Sequence, residues 1–230
     1  MPLQIETKLA LYEIGRGGAR HAREFIRQLP PEERNEFGAG TYYFTLGYLL
    51  RAFGGIENLI GKHIIEVAGG TLHGSRAFRA EISRILSAQG VRMTLVDREA
   101  REDDFPKRET LRVYGEEVQK YMERLGHERA DALISGAFFG GPEWDDLQAG
   151  NPSYTTELIS AMSELSPIQI HTVQIEEFPL AAVPTADECK KLGLPIVYSM
   201  DYSRLHPTEE GKNPDPDFIV VDSREENKEG

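Results

Sequence analysis

The chain has 230 residues, more than one compact domain needs and fewer than two fill comfortably, so a core domain with an appendage is expected. Hydrophobic residues make up 40% and charged residues 28%, a globular balance that excludes a disordered or collagen-like chain. The formal charge of −12, from 38 acidic against 26 basic residues, repels a phosphate backbone wherever it is not locally reversed, so nucleic acid is not an expected partner. The lone cysteine, Cys189, can close no disulfide within the chain, and no cysteine cluster offers zinc a site; a reducing cytoplasm fits, with no metal. The start Met1-Pro2-Leu3-Gln4-Ile5-Glu6 lacks a secretory pattern, and no apolar run approaches the roughly 20 residues of a spanning helix. A soluble cytoplasmic protein away from membranes is the expectation, and assembly as a homo-oligomer is compatible with it.

Along Glu6 to Leu29, Leu9, Leu11, Tyr12, Ile14, Ala22, Phe25 and Ile26 recur at helical spacing, interrupted by Gly15, Gly17 and Gly18, which predicts two helical pieces. Pro30-Pro31-Glu32-Glu33 opens another short helix, since proline is tolerated in a first turn and acidic groups suit its positive end. Thr41 to Phe53 is aromatic and leucine-rich, reads as a buried or half-buried helix, and stops at Gly54-Gly55. Residues 1–61 are thus a helical N-terminal segment, expected to act as a lid: Tyr42, Tyr43, Phe44, Leu46, Leu49 and Leu50 need an apolar partner, sought over the carboxyl ends of the strands that follow.

His63 to Val67 is a short apolar run closed by glycines, the pattern of a strand covered on both faces. Arg76 to Gln89 carries Phe78, Ile82, Ile85 and Leu86 at helical spacing and ends at Gly90, and Val91 to Val96 is a second buried strand ending in Asp97. Together they form a βαβ unit, for which parallel strands and a right-handed crossover are the standard solution. Further on come a strand (Leu111 to Tyr114), a helix (Glu116 to Leu125), a strand (Ala130 to Ser135) and a helix (Thr155 to Leu165). Ile168 to Ile175 alternates apolar and polar residues as a strand, and Ala186 to Leu192 reads as a helix. The last strands, Pro195 to Met200 and Asp217 to Val221, are joined by a polar loop without a helix and are expected to be antiparallel. The charged tail from Ser223 to Gly230 is expected to be disordered.

The expected fold is therefore α/β: a Rossmann-like, mostly parallel sheet over residues 62–222 with antiparallel C-terminal strands, behind the helical segment. This order resembles the class I S-adenosylmethionine-dependent methyltransferases. In that family an acidic residue near the end of the first strand leads into a Gly-rich turn, and Glu66-Val67-Ala68-Gly69-Gly70-Thr71 stands in that place. The next strand ends in an acidic residue for the ribose hydroxyls, matched by Asp97; Gly115-Glu116 stands where a pair borders the adenine, and Ser135-Gly136 where the methyl acceptor sits. The resemblance implies S-adenosylmethionine as cofactor, held by Glu66, Ala68, Gly69, Gly70, Thr71, Asp97, Arg98, Glu116, Ser135 and Gly136. Two departures stand out: the family's spaced glycines are here Ala68, Gly70 and Leu72, and the almost wholly charged stretch between Asp97 and Leu111 leaves the usual helix short or missing.

Elementary chemistry runs alongside. A strand, a Gly-rich turn and a helix start supply unpaired N–H groups suited to a nucleotide-type ligand, while the plainer reading is a tight turn that needs glycine only for its dihedrals. Asp97 either accepts from vicinal hydroxyls or caps the following turn. His73, beyond the turn, and Glu143 and Tyr154, after the fourth strand, are the candidates for acid–base duty, with Trp144 as an aromatic wall. The acceptor expected is a small molecule. A dinucleotide dehydrogenase would share the first βαβ unit, but the glycine spacing is wrong for it. The main alternative is a catalytically silent Rossmann-like protein that binds a ligand or a partner.

Overall fold

The computed structural model describes residues 20, 22–29, 31, 40–69, 80–125, 129–136, 150–151, 154–173, 196–200 and 217–222. The helices expected before residue 20, after Pro30 and over Ala186 to Leu192, the loop joining the last strands, and the tail lie outside the described residues.

Seven strands form one sheet in the order β3-β2-β1-β4-β5-β7-β6. They are β1 (His63–Val67), β2 (Arg92–Val96), β3 (Leu111–Tyr114), β4 (Ala132–Gly136), β5 (Ile168–Val173), β6 (Ile196–Met200) and β7 (Asp217–Asp222). Strands β1 to β5 pair in parallel throughout. Strand β7 inserts between β5 and β6 and runs antiparallel to both. The helices are α1 (residues 22–28), α2 (Gly40–Phe53), α3 (Glu81–Ala88), α4 (Val118–Leu125) and α5 (Tyr154–Met162).

A parallel sheet is covered on both faces, which is why β1 is an unbroken run whose five residues are all buried. On one face Ile64, Met93, Leu95, Ala132, Ile134 and Ile170 pack under α1, α2 and α3. On the other, Ile65, Val67, Val96 and Leu133 pack under α4 and α5 through Val118, Tyr121, Leu158, Ile159 and Met162. Successive strand residues thus alternate between two cores.

Helix α2 lies on the face of the sheet against β4 and β5. Leu46, Leu49 and Leu50, at most 1% exposed, find their apolar partner in that layer, whereas the sequence reading sought it over the carboxyl ends of the strands. Burying each such side chain contributes about 1.5–3 kcal/mol, which is enough to hold the helix to the sheet. Helix α3 stops where the sequence places glycine: Gly90 has φ +85°, with Gly90 N–H bonded to Ser87 O and Val91 N–H to Leu86 O. Between β2 and β3 there is only the 3-10 turn Glu102–Asp104, with Ala100 and Phe105 turned into the core. The charged composition of that stretch cannot build an amphipathic face long enough for a full helix.

Candidate functional site

In the sheet order, connections run outward from β1 on one side and from β4 on the other, so the β1–β4 boundary is the point where the winding reverses. Ligands of open α/β sheets bind outside the carboxyl ends of the strands at such a point. Here Val67 stands level with Ser135, which brings the turn after β1 beside the end of β4.

The turn begins with Ala68 in the left-handed region, φ 52°, while its N–H still bonds Val96 O at 2.8 Å. Alanine thus adopts a conformation that favours glycine, at a cost of about 1–2 kcal/mol. Gly69 O accepts from Ala80 N–H at 2.6 Å, which closes the base of the intervening segment, and Ala80 is itself left-handed at φ 48°. A Cβ on Gly69 would sit 2.8 Å from both Glu66 Cδ and Leu95 Cδ1, so a side chain there would have to push one of them aside. Family spacing drew attention to Gly70 instead. Gly70, Thr71 and His73 lie outside the described residues.

Glu66 is fully buried and points at the start of α3. Its Oε2 accepts both the backbone N–H of Ser83, at 2.8 Å, and the Ser83 hydroxyl. The carboxyl group therefore caps a helix whose own N-cap residue, Ala80, has no side chain able to do so. Among the described residues Oε1 has no hydrogen-bond partner. Burial pushes the carboxyl up to about 7 against the two Ser83 bonds, and the nearby charge of Asp97 adds to the rise.

Asp97 follows β2, half-buried, and its Oδ1 accepts the N–H of Glu99 at 2.8 Å, the capping role anticipated as its plainer reading. Arg98 beside it is exposed. At the end of β3, Gly115 passes so close to the Ala100 carbonyl that a Cβ would collide with it, which is why glycine stands there. Glu116 turns back onto α4, where Arg124 meets it at 2.9 Å and also lies 5.0 Å over the Tyr114 ring.

Between β4 and β5, side chains far apart in the chain form a hydrogen-bonded series. Ser135 Oγ lies 2.8 Å from His171 Nδ1, and His171 Nε2 lies 2.9 Å from Gln169 Oε1. Gln169 Nε2 donates to Ile159 O at 3.0 Å and to Ser163 Oγ at 2.8 Å. Since Ile159 O can only accept, the Gln169 oxygen must face His171; His171 therefore carries its proton on Nε2, and Nδ1 receives the Ser135 hydroxyl hydrogen. Burial lowers the His171 imidazole to about 3, so it stays neutral. Tyr154, at the start of α5, accepts from Gln119 Nε2 at 2.8 Å, which ties α5 to α4. Glu143 and Trp144 lie outside the described residues. The site thus gathers Glu66, Ala68, Gly69, Asp97, Ser135 and Gly136 along the carboxyl ends of β1, β2 and β4, with Glu116 beyond β3. Sequence reasoning missed Ser83, His171 and Gln169; the signal available for Ser83 was that a buried Glu66 needs donors.

Strand order and the reversed β7 give the chain a Rossmann-like α/β fold. No family model matches the sequence, and no curated protein does. Among solved structures, the bifunctional kinase-methyltransferase WbdD is similar at 12% identity and a TM-score of 0.48, over 88% of this chain and 46% of that one. This chain therefore spans less than half the length of that protein. A putative ribosomal RNA methyltransferase from Plasmodium falciparum is similar at 10% identity and a TM-score of 0.46, over 81% of this chain and 97% of that one. An antibiotic-related methyltransferase is similar at 10% identity and a TM-score of 0.40, over 72% of this chain and 89% of that one. Among the described residues, no helix is long and apolar enough to cross a membrane.

Proposed function

We propose that the chain is an S-adenosylmethionine-dependent methyltransferase acting on a small-molecule acceptor. The observation that carries this reading is the junction at the reversal point, where a left-handed Ala68 opens a Gly-rich turn level with Ser135 while Asp97 ends the neighbouring strand. The residues fit a nucleoside ligand: the turn opens on left-handed Ala68, which two glycines follow in the sequence, and Asp97 keeps a carboxylate at the position suited to vicinal hydroxyls. Backbone from Ala68 to Thr71 would line the cofactor, Asp97 would take the ribose, and Arg98 and Glu116 would border it. Glu66, turned toward Ser83, would hold the turn in shape from beneath. The cofactor, when bound, supplies a methyl group on a sulfonium centre. The chain's own task is alignment: Ser135, Gly136 and Tyr154 would orient the acceptor, with His73 or Glu143 taking a proton where the acceptor must lose one.

Calorimetric titration with S-adenosylmethionine and S-adenosylhomocysteine tests the reading. Asp97→Ala is expected to bind about 1.5–3 kcal/mol more weakly while remaining folded. Equal affinity in the folded variant overturns the ribose assignment. The second reading, a catalytically silent Rossmann-like protein, is favoured by the bond that Asp97 Oδ1 already makes to Glu99 N–H and by the reduction of the β2–β3 helix to a 3-10 turn. A folded wild-type protein that binds neither compound would decide for it.

A further inference from the structure

A polar contact between β1 and α3 is made by Glu66. Glu66 reaches from the strand to the third residue of the helix, both of its bonds fall on Oε2, and Oε1 has no hydrogen-bond partner among the described residues. Directly over the carboxyl group runs Gly69, whose carbonyl binds Ala80 N–H; strand end, turn base and helix start therefore meet around it. The surroundings offer an anion little. From β2, Leu95 closes one side and Asp97 contributes a like charge; from β4, Ile134 stands level with Glu66; on α3, Ser83 is flanked by Ile82 and Arg84, and the buried acid Glu81 stands two residues before it. The charge felt by Glu66 from the described residues is that of Asp97, of the same sign.

We propose that Glu66 is a proton-operated latch: with the proton on, it holds the turn base and the first turn of α3 against β1, and with the proton off, it releases them. A neutral carboxyl tolerates an apolar enclosure with one oxygen unmatched, whereas a carboxylate there lacks the second donor or the cation that would offset lost hydration. Release would part Gly69 O from Ala80 N–H and Ser83 from Oε2, the bonds that join the turn base and the first turn of α3 to the strand. Because this junction is the floor of the candidate ligand site, the same proton decides whether that floor is formed.

Burial holds the carboxyl up at about 7 rather than 4.5, which places the release near neutral pH. The folded form binds the proton more tightly than the unfolded one, so the latch contributes fully below 4.5 and is lost as pH rises to about 7. Amide hydrogen exchange of the ligand-free full chain, corrected for the intrinsic pH effect, is measured for residues 80–85 and for β4 at pH 5 and pH 8.5. Wild-type protection at the start of α3 should fall about tenfold or more while β4 is unchanged, and Glu66→Gln should abolish the dependence. Equal protection at both pH values, or the same loss in Glu66→Gln, overturns the latch. Should Glu66→Gln not fold, a carbon-13 carboxyl titration of the wild type serves: a Glu66 carboxyl that titrates near 4.5, or near 7 without a matching change at the Ser83 amide, overturns it equally. No ligand enters these measurements, so their outcome is independent of the methyltransferase reading.

Discussion

The two faces of the sheet each bury a titratable group near the carboxyl ends, and the two are treated in opposite ways. Under α5, His171 is bonded at both ring nitrogens, to Ser135 and to Gln169, and Gln169 is in turn anchored on Ile159 O and Ser163. Under α3, Glu66 is bonded at one oxygen only, by a single residue. The histidine side is a closed network that stiffens β4 against β5. The glutamate side is half satisfied, and it sits beneath the turn of the candidate ligand site. Completeness of hydrogen bonding thus separates framework from the candidate moving part.

The largest expected difference is in acid. His171 stays neutral in the fold down to about pH 3, whereas the unfolded chain takes up the proton near 6.5, so stability is lost as pH falls through that window. The loss at the low end should be on the order of 4 kcal/mol, read by urea unfolding between pH 7 and pH 3.5. A nitrogen-15 spectrum showing a neutral ring with hydrogen on Nε2 at pH 5 checks the same assignment; hydrogen on Nδ1 would break the comparison. Glu66 acts with the opposite sign, losing about 3 kcal/mol as pH rises from 4.5 to about 7.

Gly69→Ala presses a methyl group against Glu66 and Leu95 and should cost about 3 kcal/mol by denaturant unfolding. A neutral result would mean the junction is already loose. Gln169→Leu leaves the His171 Nε2–H without its acceptor and should cost about 2 kcal/mol, with the imidazole losing its fixed tautomer. If that variant is as stable as the wild type, the histidine chain is not the closed network described. The smallest effect has the opposite direction: Ala68→Gly removes the side chain from a left-handed position and should stabilise by about 0.5–1 kcal/mol in thermal unfolding.

Much of the framework was legible because its signals are local. Strand β3 was read with the bounds it has, and the start of β1 and both of its bounds follow from an unbroken run that only a doubly covered strand can use. The end of α3 at Gly90 and the weak β2–β3 connection are likewise statements about neighbouring residues. The alternation in β5 was legible too, but its meaning was not. Polar residues at every second position normally mark a solvent face, yet Gln169 and His171 are both fully buried.

By itself the sequence determined the order of strands and helices along the chain, the place of the Gly-rich run and the acids at the ends of β1, β2 and β3, since hydrophobic period and backbone chemistry act over a few residues. Only the tertiary structure decided who satisfies whom: Ser83 meets Glu66 across 17 positions, and His171 meets Ser135 across 36. It also decided that a Cβ on Gly69 would be crowded, because the atoms it would meet belong to Glu66 and to Leu95 on the adjacent strand. Those contacts depend on strand register and helix docking, which set distances between residues far apart in the chain and leave no periodic trace in it.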